Sequence, residues 1–297
     1  MFFALSGFVI AHSVHGDRVT WPFLGRFMLR RAIRLDPPYW AALVLTLLSG
    51  WVSSMLVEGK AAPSFTGEQV LAHAVYLQEM LGYPHVNIII RTLCQEVQFY
   101  FVCVMMLAVA RNDPGLPLQG RRTAIILAAA FFIALQWPLG ILSAGPWPGS
   151  FLPLWYAFLH GVGAYWSWRQ RQCRALYLGF AVVIAAAGLV REDRFALVSA
   201  ATGLLIWSVA AQGRMATALS SAPLQFLGAI SYSLYLTHNF VLGASFRAGN
   251  RGAGGTVAWE TGGWLASTAV AVLAAAVVWR AVEMPSMRLA RRIAMRG

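Results

Sequence analysis

Arg30-Arg31-Ala32-Ile33-Arg34-Leu35-Asp36-Pro37-Pro38-Tyr39-Trp40-Ala41-Ala42-Leu43-Val44-Leu45 runs from three arginines directly into hydrocarbon. The apolar part continues to Val57, and upstream stands a second apolar run, Phe2-Phe3-Ala4-Leu5-Ser6-Gly7-Phe8-Val9-Ile10. About 20 mostly apolar residues suffice to cross a bilayer. Arginine keeps its charge at any cellular pH and presents a planar fork of donors that matches phosphate oxygens. A fixed arginine cluster at a membrane edge either anchors topology or holds a phosphorylated ligand against the bilayer. The residues alone leave both roles open.

The 297 residues are 59% hydrophobic and only 11% charged, against about 25% charged in a soluble domain. The expected class is therefore all-α, a polytopic helical bundle in the membrane. The net charge of +12 comes from 23 Lys+Arg against 11 Asp+Glu. Those basic residues fall in short segments between apolar runs, a membrane-topology pattern rather than a nucleic-acid footprint. Cys94, Cys103 and Cys173 show no paired-ligand spacing and read as small buried residues. No HExxH, Gly-rich phosphate loop or nucleophile elbow is present, so no metal site is expected.

Nine candidate spans follow from apolar length: residues 1–15, 38–57, 87–110, 122–142, 151–168, 175–190, 195–211, 223–246 and 260–282. Alternate connecting segments differ sharply in charge. One set holds 16 arginines, from Arg18, Arg26, Arg30, Arg31 and Arg34 through Arg111 to Arg296. The other holds Lys60, Arg191, Arg194, Arg247 and Arg251. The richer set should be cytoplasmic, which places the C-terminus inside. Gly252-Ala253-Gly254-Gly255 reads as a flexible external loop. Pro37-Pro38 is expected at a span edge, where proline is tolerated. No separate soluble domain is attached, so residues 1–297 read as one membrane-embedded unit.

Polar residues inside apolar spans default to functional hypotheses. In Arg91-Thr92-Leu93-Cys94-Gln95-Glu96-Val97-Gln98-Phe99-Tyr100, helical spacing puts Thr92, Glu96 and Tyr100 on one face. Glu96 reads as a proton acceptor, a hydrogen-bond anchor for a catalytic group or a charge partner, and equally well as part of a structural network that fastens helices. Ser231, Tyr235 and His238 form a second polar stripe. Histidine transfers protons near neutral pH, although a lone one is more often structural. Glu283, in Glu283-Met284-Pro285, reads as a structural carboxylate able to pair with an arginine. Gly161-Val162-Gly163 reads as a helix-packing feature.

Together these segments resemble the acyltransferase-3 family of multi-span acyltransferases. Phe2 to Ile10 is similar to its FFxLSGFxI segment, and Phe27 to Tyr39 to its RRxxR run leading to a proline–aromatic span start. Leu93 to Tyr100 resembles WxLxxExxFY, Leu227 to His238 resembles LGxxSYxxYLxH, and Val282-Glu283-Met284-Pro285 resembles [VI]ExP. The five segments occur in the family's order and cover nearly the whole chain.

The resemblance implies transfer of an acyl group, commonly acetyl, from cytoplasmic acyl-CoA to a hydroxyl of a cell-envelope or exported carbohydrate or glycolipid. The protein would sit in the inner (plasma) membrane. Arg31 and Arg34, with Arg30 beside them, would hold the CoA phosphates; Glu96 and His238 would be catalytic. Acyl-CoA is a donor substrate, and no permanently bound cofactor is implied. Position 91 is Arg where the family usually has Trp. Family members also carry a further helix before FFxLSGF, with a histidine usually assigned as the base, so the chain reads as N-terminally incomplete with nine spans of the family's ten. Two other readings compete: a transporter or flippase of a lipid-linked sugar, and a non-catalytic remnant of the acyltransferase.

Overall fold

The structure is a computed structural model that describes residues 1–17, 19–56, 59, 61–87, 89–110, 121–249 and 257–293. Arg18, Lys60, Arg111, Arg251, Arg296 and the Gly252-Ala253-Gly254-Gly255 segment lie outside the described residues. Every regular element among the described residues is helical. In chain order these are α1 (Phe2–Ser13), α2 (Trp21–Leu56), α3 (Gly67–Ala74), α4 (Ile90–Ala110), α5 (Arg121–Leu135) and α6 (Trp155–Arg169). Then come α7 (Arg174–Val190), α8 (Arg194–Ala211), α9 (Ala222–Gly249), α10 (Val257–Val278) and α11 (Met284–Arg291).

Among the described residues five segments are long and apolar enough to cross a membrane: Trp21–Leu56, Ile90–Ala110, Arg171–Val190, Arg194–Ala211 and Trp259–Arg291. The remaining expected spans are helical but fall short of that standard, for two physical reasons. Phe2–Ser13 and Ile125–Leu135 are apolar but short, and α6 has 15 residues. The 28-residue α9 is long enough but carries Ser231, Tyr232, Ser233, Tyr235, Thr237 and His238 in its middle.

The largest departure from expectation is α2. Its 36 residues measure about 54 Å at 1.5 Å per residue, well beyond the roughly 30 Å of hydrocarbon. Arg30, Arg31 and Arg34 therefore lie within a helix, not in a loop that precedes a span. Pro37 and Pro38 sit inside the same helix rather than at a span edge.

The chain forms two compact units. The first contains Met1–Gly25 and Cys94–Ser220. Its centre is the crossing of α1 and α6, where glycine lets two backbones touch. A Cβ on Gly7 would run into the Phe158 carbonyl, and one on Gly161 into Ala4 O and Phe8 N. Around this crossing Phe99 stacks on Phe158 with centroids 3.9 Å apart, and Phe3 packs on Phe158 at 4.5 Å. Small residues at helix crossings are how helices associate in lipid, where burial of apolar surface supplies no drive. The hairpin from α7 to α8 turns at Glu192, which has φ 56°. Asp193 then caps α8, accepting from the N–H groups of Phe195 and Ala196 at 2.9 and 3.2 Å.

The second unit contains Arg26–Leu93 and Ser221–Met295. Within it the segment after α2 turns back on that helix. Trp51 Nε1 donates to Pro63 O at 3.1 Å, and Tyr39 OH then meets His73 Nδ1 at 2.9 Å. Twelve residues of helix separate the two contacts, so the chain returns about 18 Å along α2. Thr66 starts α3 with a capping box, exchanging bonds with Gln69 at 3.1 and 3.2 Å. Past α3, Tyr76 adopts a left-handed conformation (φ 58°) and donates to Asp36 Oδ1 at 2.6 Å.

Candidate functional site

The arginines and the double proline share one stretch of α2, and proline chemistry explains what surrounds them. Proline has no N–H, so Pro38 leaves the carbonyl of Arg34, four residues back, without its helical donor. In lipid such a carbonyl must find another donor. Ser286 of α11 supplies one: its hydroxyl lies 3.3 Å from Arg34 O and 2.8 Å from Glu283 O. The neighbouring Leu35 carbonyl accepts from Tyr232 OH of α9 at 3.0 Å. The break in α2 is thus bridged by hydroxyls from two other helices, and α2 continues through it.

Glu283 completes the same junction. Pro285 cannot donate to Ala281 O, and the chain between α10 and α11 widens into a π-helical turn, Trp279–Glu283, closed by Met284 N–H on Trp279 O. Glu283 is buried, with 3% exposure. It accepts from Ser233 Oγ of α9 at 2.5 Å and lies in the electrostatic field of Arg34. Three segments singled out in the sequence therefore converge in this unit: the arginine–proline run, the SYSLYLTH stripe and the VEMP turn. The sequence reading gave Glu283 a structural role that pairing with an arginine would satisfy. Its geometry fits that role, and the arginine it faces is a candidate binding residue.

Arg30, Arg31 and Arg34 are each half-buried. Spacings of three and four residues put Arg34 on the same side of α2 as both others. Arg31 also lies over the Phe27 ring, 5.3 Å from its centroid. Asp36, the nearest acid in sequence, is engaged by Tyr76. Three cations on one side of a helix repel one another, and such a site attracts anions.

His238 also belongs to this unit. Its Nδ1 lies 3.0 Å from Leu234 O and 2.9 Å from Tyr235 O of its own helix. Carbonyls only accept, so Nδ1 is assigned the proton and Nε2 keeps a lone pair. Tyr235 OH donates to Ile89 O at 2.7 Å and also meets the Thr92 hydroxyl. Of the expected stripe, Ser231 is spent on Gly228 O of its own turn at 2.8 Å.

Arg91, which departs from the resemblance, has its own partner. It pairs with Glu79 Oε1 at 2.8 Å, and His85 approaches the other oxygen of Glu79 at 3.2 Å.

Glu96 lies in the first unit. It is 4% exposed, and its Oε1 accepts from the hydroxyls of Ser6 and Tyr100. The predicted shared face of Glu96 and Tyr100 is thus a direct bond one helical turn long. The contact with Ser6 spans 90 positions of sequence and joins the LSGF segment to the ExxFY segment. Beside it, Gln98 fixes the turn ahead of α6: its amide donates to Gly149 O at 2.9 Å and its oxygen accepts from Phe151 N–H at 3.3 Å. Ser6, Ser233, Ser286 and Tyr232 escaped the sequence reading, since a hydroxyl in an apolar run shows no partner until the helices pack.

Comparison with known proteins follows the same segments. The acyltransferase-3 family model, described as an acyltransferase domain, matches residues 1–281. No curated protein and no solved structure gives a significant match. The family match covers the arginine run, Glu96, His238 and the helix leading into Glu283. The chain therefore belongs to the acyltransferase-3 family and is a membrane acyltransferase.

Proposed function

We propose that this protein transfers an acetyl group from cytoplasmic acetyl-CoA to a hydroxyl of a cell-envelope or exported carbohydrate, working in the inner membrane with its C-terminus in the cytoplasm. The observation that carries this reading is the junction around Arg34. Three arginines share one side of a helix, and Glu283 lies in the electrostatic field of one of them, Arg34. Arginine forks matched to phosphate oxygens are the chemistry that binds a CoA-type donor. The bridged proline break supports the same role, because it holds the arginine-bearing turn in place before ligand arrives.

His238 fits the role of general base. A proton held on Nδ1 by backbone carbonyls leaves Nε2 to accept the proton of an attacking hydroxyl. For Glu96, whose Oε1 already takes two buried hydroxyls, the geometry favours an anchoring role over direct proton transfer.

The test is acetyl transfer from radiolabelled acetyl-CoA to envelope carbohydrate in membranes carrying the wild type, Arg31→Gln/Arg34→Gln or His238→Gln. The double arginine variant should raise the KM for acetyl-CoA at least tenfold, about 1.4 kcal/mol. His238→Gln should lower kcat 10²–10⁴-fold with little change in KM, the usual contribution of one acid–base group. Transfer by the double arginine variant at wild-type KM would end the phosphate reading.

A further inference from the structure

Away from these residues, the packing of α6, α7 and α8 in the first unit buries polar atoms that have nothing to bind. His160 is fully buried and neither ring nitrogen has a hydrogen-bond partner. Tyr177 OH, Ser199 Oγ and Trp207 Nε1 are likewise buried without partners. Each such atom in hydrocarbon costs free energy, and folded proteins rarely leave them in groups.

His160, Tyr177 and Trp207 are also close together. The His160 and Tyr177 rings are 6.3 Å apart, and the Tyr177 and Trp207 rings 6.4 Å. Ser199, Gly203 and Trp207 recur every four residues, so they line one face of α8. Gly203 marks where the groups meet: a Cβ there would lie 2.9 Å from Tyr177 OH and 3.2 Å from His160 Nδ1. Tyr177 also lines a groove of about 530 Å³ whose wall includes Leu127, Phe131, Gly163, Cys173 and Phe180.

We propose that His160, Tyr177, Ser199 and Trp207 form an internal binding site for an uncharged hydroxyl oxygen. That oxygen comes either from buried water or from the alcohol end of an alkyl chain lying in the adjoining groove. The donor and acceptor inventory fits. Neutral histidine offers one of each, tyrosine and serine offer both, and tryptophan only donates. A hydroxyl oxygen both donates and accepts, and a buried water needs two to four such partners. No charged side chain belongs to the cluster, so an ion there would lack a counter-charge.

The experiment is thermal unfolding of the purified full chain in detergent, with Tyr177→Phe, Ser199→Ala and the double variant. A bound hydroxyl predicts that each single variant lowers Tm by about 2–4 °C, the shift for one lost hydrogen bond. It also predicts that the double variant loses less than the sum, because both contact one oxygen. Dodecan-1-ol and dodecane then separate the sources. A higher Tm with the alcohol alone, absent in Tyr177→Phe, assigns an alcohol, whereas equal responses to both assign water. If Tyr177→Phe and Ser199→Ala leave Tm unchanged or raise it, the polar atoms are bare and the site does not exist.

Discussion

Replacing Glu96 with alanine tests how the first unit is held together. Ser6 and Tyr100 are 6% and 4% exposed, and each donates its hydroxyl to Glu96 Oε1. Alanine would strand both donors away from water, at about 1–3 kcal/mol each. The central expectation is about 4 kcal/mol, which in a chain of this size is a fall in Tm on the order of 10 °C. Glu96→Gln keeps an oxygen that accepts, so it should lose only about 1 kcal/mol. Glu96→Ala combined with Ser6→Ala and Tyr100→Phe removes the donors along with the acceptor and should recover most of the loss. Thermal unfolding of the four purified proteins in one detergent measures all of this. A triple variant as unstable as Glu96→Ala would refute the reasoning, since the deficit would then not come from stranded hydroxyls. So would a Glu96→Ala protein within 1 kcal/mol of the wild type.

Three other expectations concern separate parts of the molecule. Gly161→Ala drives a methyl into the backbone of α1 and should cost about 1–3 kcal/mol; Gly7→Ala in the same protein should add less than its own effect, because one displaced crossing accommodates both, as a double-mutant cycle in Tm will read. Glu283→Gln removes the carboxylate facing Arg34 and should raise the KM for acetyl-CoA about tenfold, roughly 1.4 kcal/mol, more than it lowers kcat; Glu283→Asp should restore part of the loss, and an effect confined to kcat would contradict the positioning role. Burial, and then the neighbouring His85, hold the His73 pKa below its ordinary value. The folded protein therefore takes up this proton less readily than the unfolded chain, so stability is complete above the ordinary value of 6.5 and declines as pH falls through it. His73→Gln should flatten that decline in a series of melts, and an unchanged slope would assign it to other groups.

The helical class could be read from the chain because it depends on composition and on apolar run length, both local properties. The α7–α8 pair was less legible, since only Arg191-Glu192-Asp193-Arg194 parts its two apolar runs; the structure separates them by a turn at Glu192 and a cap at Asp193. The extent of α2 was not legible. A double proline after three arginines looks like a boundary, because both locally available backbone partners are lost there. Ser286, 252 residues away, gives Arg34 O a donor, and Tyr232 adds one to the neighbouring Leu35 O, so the boundary becomes the middle of a helix. The number of membrane-length helices differed for a related reason. Apolar character marks a candidate span, but α1, α5 and α6 end early and α9 is interrupted by polar residues.

What the sequence determined by itself was the solvent, the helical class, and which polar residues stand out against hydrocarbon: Arg30, Arg31, Arg34, Glu96, His238 and Glu283. Those are statements about single residues and their near neighbours, and periodicity carries them. The tertiary structure decided the partners. It gave Glu96 to Ser6, Glu283 to Ser233 and the field of Arg34, and Arg91 to Glu79. It also brought His160 and Tyr177 together at Gly203. A hydrogen bond or ion pair in a bilayer is set by which helix faces meet, and that choice is made by small residues and broken turns whose effect appears only once the helices have packed.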